Sequence, residues 1–93
     1  MTPSEPARVP LGQTVATPAA LAVLSQSEIV SALGRHAAGD WGEVDEHDRA
    51  ANDDALQSGE RILSVYSSAT GTTFWILTEV DRSATTVLLP DDY

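Results

Sequence analysis

A chain of 93 residues can build one small core and leaves little room for a deep enclosed pocket beside it. Fourteen acidic residues stand against five arginines and no lysine, a formal charge of -9; such a field repels phosphate backbones and anionic membranes, so nucleic-acid and membrane binding are disfavoured and a basic partner is favoured. Cysteine is absent, which excludes disulfides and thiolate metal sites.

The first ten residues, MTPSEPARVP, hold three of the five prolines. They predict a loose arm over residues 1–16, with Val15 ending a short extended piece, and a single domain over 17–93. They also lack the basic start and apolar run of a secretory signal, and no apolar stretch reaches spanning length, so the expected location is the cytoplasm.

Thr17-Pro18 reads as a helix cap followed by proline at the first helical position. Ser25 and Glu28 have capping-box spacing, which predicts one helix over 18–24 and another over 26–37. Leu21 and Leu24 serve the first, and Ile29, Val30 and Leu33 form the stripe of the second. Gly39 stops it, leaving Arg35 and His36 in the last turn, where cations suit the helix dipole. Asp45 then caps a third helix over 46–58 that Gly59 terminates, with Ala51, Ala55 and Leu56 as a thin apolar face.

From Glu60 the period changes to that of strands. RILSVYSS, TTFWILTEV and ATTVLLP are rich in β-branched and aromatic residues, and SATG and DRS separate them as turns. The expected fold class is α+β: two or three N-terminal helices packed on a three-stranded antiparallel β-meander.

Three constellations can carry chemistry. His36, Asp40, His47 and Asp48 are the ligand types left without cysteine, but neither H-E-x-x-H nor a calcium-loop spacing is present, so no metal and no cofactor is expected. His36, Arg61, Glu79, Arg82, Thr85 and Thr86 are the residue types of a small metal-independent ribonuclease, which needs an acid–base pair and cations for the phosphate. The order helices-then-meander loosely resembles the superfamily of barnase, colicin-type nucleases and messenger-RNA-cleaving toxins, and that reading stands as the alternative.

The third constellation is the carboxylate run Asp40, Glu43, Asp45, Glu46, Asp48, Asp53, Asp54 and Glu60, opposed only by Arg49. On a helix such groups recur every 5–6 Å or so, which lets them form rows spaced like backbone phosphates. The expected partner-binding face is this run, less Glu60, with Trp41 as an interface anchor among the acids; the alternative for Trp41 is to fold inward and plug the joint between the helices and the sheet. Trp75, within FWIL, reads as packing.

The segments RHAAGDWGEVDEHDRAANDDALQSGERILSVY and WILTEVDRSATTVLLPDDY resemble a group of short bacterial proteins encoded on plasmids and integrative elements. The resemblance spans residues 35 to 93 and carries over no catalytic or binding residue; it implies accessory cargo of mobile DNA. Together these readings point to a non-enzymatic acidic binding protein that occupies a basic nucleic-acid-binding surface of a host defence protein, as an anti-CRISPR or anti-restriction inhibitor. The partners admitted are that basic protein and a second copy of the chain.

Overall fold

The computed structural model describes residues 8–93. The elements run β1 (Gln13–Ala16), α1 (Pro18–Val23), α2 (Gln26–Ala37), α3 (Glu46–Ser58), β2 (Ile62–Ser67), β3 (Thr73–Thr78) and β4 (Ala84–Leu88), closed by a 3-10 turn at Pro90–Asp92. The architecture is α+β. The helices lie within a residue of their predicted bounds, because each end carries its own signal. Thr17 Oγ1 accepts from Ala20 N at 3.1 Å, the Ser25–Glu28 capping box is complete in both directions, and Asp45 accepts from Asp48 N at 2.8 Å. Gly59 takes φ 82° to end α3, the left-handed conformation that glycine adopts without strain.

The sheet corrects the expected three-stranded meander. It has four strands in the order β1-β4-β3-β2; β2, β3 and β4 form the antiparallel meander, and β1 adds to β4 in parallel. The arm expected over residues 1–16 therefore belongs to the domain from at least Val9, which is fully buried; residues 1–7 lie outside the described residues. β1 shows no apolar alternation of its own. The short extended piece expected to end at Val15 is this strand, one residue longer; its pairing with a segment about seventy residues later is a long-range cause that no local pattern carries.

One sheet face carries Ile62, Ser64, Tyr66, Phe74, Ile76, Thr78, Thr85 and Val87, since alternate residues share a face. Its main cluster joins Tyr66, Phe74, Ile76 and Val87 to Ala20 and Leu24 of the α1 segment and Ala32 of α2. A second cluster joins Val9, Trp41, Ala55 of α3 and Ile62. The other face carries Leu63, Val65, Trp75, Leu77 and Leu88, of which Leu77 and Leu88 are buried and the other three half-buried.

The two sheet edges differ. At β2, the Asn52 side chain of α3 donates to Leu63 O at 2.8 Å and accepts from Leu63 N at 3.3 Å. One pleat further, Val65 N donates to Trp41 O at 3.1 Å and Glu43 N donates to Val65 O at 2.7 Å. Gly42 makes this bridge feasible: it holds φ 75°, and a Cβ there would collide with the Val65 carbonyl. The glycine of the GDWG motif is thus a close-approach residue. Arg82, in the β3–β4 turn at φ 60°, completes the lock by donating to the carbonyls of Ala55, Glu60 and Glu79 at 2.8, 2.7 and 3.2 Å. Its cation sits at the C-terminal end of α3, where the helix dipole favours it. Among the described residues no helix is long and apolar enough to cross a membrane.

Candidate interaction surface

The conspicuous polar feature of the interior is a chain of hydrogen bonds through His36, which is completely buried. Thr85 Oγ1 donates to Leu11 O at 2.7 Å, and its single proton is thereby used. Thr85 must then accept from Thr78 Oγ1, 2.8 Å away. Thr78 has in turn no proton left for His36 Nε2 at 2.8 Å, so the ring donates from Nε2–H. Nδ1 is consequently a bare acceptor for the Ser64 hydroxyl at 2.6 Å. The accounting fixes one tautomer of a neutral imidazole. Burial, and secondarily the charge of Arg82, lower its pKa to about 4, since a cation in a dry interior loses its hydration.

This arrangement does not assemble the residues of the nuclease alternative. His36 has no nitrogen facing solvent, Thr85 is sealed beside it, and two Arg82 nitrogens serve backbone carbonyls. Arg61 is on the surface, donating to Tyr93 Oη at 2.6 Å, and Glu79 flanks the β3–β4 turn with no hydrogen bond joining it to His36. An accessible acid–base pair is missing from the set. His47 is exposed on α3, apart from His36, and among the described residues no group of three potential ligands could hold a metal ion.

The carboxylates divide by what they do locally. Asp40 forms a two-pronged ion pair with Arg35 at 2.7 and 3.3 Å, the principal reason its pKa is lowered, and accepts from Gly42 N at 3.1 Å. Glu43 accepts from the Ser67 hydroxyl at 3.0 Å, and Asp45 is a cap. Asp53 accepts from Trp41 Nε1 at 3.0 Å. Glu46, Asp48 and Asp54 are exposed on α3. With 3.6 residues per turn, Glu46 and Asp53 share one flank, Asp54 points further round the outer side, and Asp48 lies on the opposite flank. The acids wrap the helix rather than form one row.

Of the two readings of Trp41 the structure takes the inward one, against its place in the partner-binding face: it is 4% exposed, and its ring meets His36 edge-on at 5.8 Å. A tryptophan between two turning glycines looked available as an anchor, but the Gly42–Val65 bridge turns it inward and Asp53 satisfies its N–H.

The surface aromatic site lies elsewhere. Between α3 and this second sheet face runs a groove of about 310 Å³, floored by Leu63, Val65, Trp75 and Leu77 and walled by Val44 and Ala51. The 3-10 turn brings Tyr93 back against Trp75, the rings 5.8 Å apart and edge-on at 66°. Asp48 and Arg61 stand at its rim. The groove had a signal in the sequence. ILSVY and FWIL are apolar at both alternations, and one helical layer covers one face only. No protein-family model matches the chain, nor does any curated protein or solved structure.

Proposed function

We propose that the protein is a non-enzymatic acidic binding module, cargo of a mobile genetic element, that occupies the basic nucleic-acid-handling surface of a host defence protein and inhibits it in the anti-CRISPR or anti-restriction manner. The observation that carries this reading is the Trp75–Tyr93 groove with Asp48 on its rim. Nucleic-acid channels combine cations with exposed stacking side chains. An arginine from such a channel can lay its guanidinium on Trp75 while Asp48 pairs with its charge, and Glu46, Asp53 and Asp54 extend the field that steers the approach. Trp75 and Tyr93 thereby replace Trp41 as anchors. The -9 charge favours such a partner at long range, and the segments quoted above for the mobile-element resemblance supply the context.

The test is displacement of DNA or RNA from restriction and CRISPR effector proteins by the purified chain. One effector should lose its nucleic acid in a salt-sensitive way, and the triple charge reversal Asp48→Lys, Glu46→Lys, Asp54→Lys should abolish the effect. Retention of full inhibition by a folded triple variant overturns the reading.

A further inference from the structure

Where β2 has its outward backbone groups paired one after another, β1 does not. Gln13 N and Thr17 N donate to β4-side carbonyls at 3.0 Å, so by strand alternation Thr14 and Ala16 turn their N–H and C=O groups away from the sheet. Among the described residues nothing meets them. Beside this edge, on the helix side, lies an apolar groove of about 480 Å³ lined by Leu21, Leu24, Ile29, Val30, Leu33 and Val87. Leu21 and Val30 are 60% and 61% exposed, and Val15 in the strand itself is 43% exposed. An open strand edge with apolar flanks is a template for another strand.

Charge decides which strand. From Val9 to Ser27 the sequence contains no charged residue, although the chain carries -9. The strand therefore brings no carboxylate of its own to a second copy; the nearest, Asp92 and Asp81, stand at its two ends, held by Thr17 at 2.7 Å and by Ser83. The edge is also self-complementary. In an antiparallel pair centred on Val15, Thr14 faces the other copy's Ala16 and Ala16 faces its Thr14. That register uses the outward groups of both residues in both strands, while Val15 meets Val15 across the two-fold axis. We infer that β1 pairs with β1 of a second copy, making a two-fold dimer whose sheet continues through eight strands and covers both apolar grooves. The surface is separate from the groove at Trp75 and does not depend on it.

Sedimentation velocity of the full chain across a concentration series should give a species of twice 9.8 kDa. Raising salt should strengthen it, because screening weakens the repulsion between the two copies, whereas docking on a basic partner weakens with salt. On dimerisation the amides of Thr14 and Ala16 should gain hydrogen-exchange protection. Val15→Lys, which sets like charges opposite each other, should raise the dissociation constant at least about tenfold. Thr14→Pro removes an outward N–H without touching the β4 ladder and should do the same with the far-UV spectrum retained. A chain monomeric at millimolar concentration overturns the inference, as does a dimer that both folded variants leave intact.

Discussion

His36 and Thr78 lie 42 residues apart and are joined by a buried hydrogen bond of 2.8 Å in which the imidazole Nε2–H is the donor. The direction of that bond follows from the protons spent further along, at Thr85 and Leu11 O. Nitrogen chemical shifts of the ring should accordingly show the Nε2–H tautomer at neutral pH, and Thr78→Val should cost about 1–3 kcal/mol by orphaning its buried partners. A predominant Nδ1–H tautomer would contradict the assignment.

The same burial sets a pH dependence. The folded pKa of His36 is lowered to about 4 against roughly 6.5 in an unfolded chain. Between those values the unfolded state binds the extra proton, so the contribution is fully present above pH ~6.5 and falls as pH drops toward 4. At about 1.36 kcal/mol per unit the total is near 3 kcal/mol. Denaturant unfolding of the wild type and His36→Gln at several pH values isolates the effect, because the carboxylates cancel in the difference. The wild-type advantage should shrink by that amount on acidification, and a constant gap would refute it.

Two glycines should respond oppositely to alanine. Gly42 holds φ 75° with the Val65 carbonyl where a Cβ would go, so Gly42→Ala combines backbone strain with a steric clash and should cost at least about 2 kcal/mol. Gly34, inside α2, has open space around its Cβ position. Gly34→Ala should stabilise by roughly 0.5–1 kcal/mol through helix propensity. Thermal melts of both variants check the pair.

Asn52 stands in for a neighbouring strand at the β2 edge. Asn52→Leu preserves bulk while leaving Leu63 N and O unpaired in a buried place, and should cost about 2–4 kcal/mol. Hydrogen exchange at the Leu63 amide should accelerate ahead of the core amides; unchanged protection would mean that the edge is held by other groups.

The aromatic residues separate stability from binding. Trp41→Ala empties a buried site and should cost about 3–5 kcal/mol. Tyr93, 70% exposed, should lose less than about 1 kcal/mol as alanine while partner affinity drops at least about tenfold. A Tyr93→Ala variant with undiminished inhibition would remove the groove from the proposed interface.

The helices, the meander and the charge were legible in the sequence because their causes are local. Thr17-Pro18, the Ser25–Glu28 box, Asp45 and Gly59 each act within a few residues, and alternation in residues 60–89 needs only near neighbours. The site was legible in part. The acidic density on α3 follows from the residues themselves, but which acids face a partner depends on how the helix lies against the β2 edge.

What the sequence by itself determined is therefore the three helices and the three strands of the meander, their ends and the sign of the surface. The tertiary structure decided the rest through contacts between residues far apart in the chain. β1 exists by pairing with β4, His36 is neutral because the fold buries it, and Trp41 turns inward because Gly42 bridges to Val65. The Trp75–Tyr93 groove forms because one helical layer cannot cover both faces of a sheet that is apolar on each. Burial and hydrogen-bond satisfaction belong to the assembled chain, and they fixed what local propensity left open.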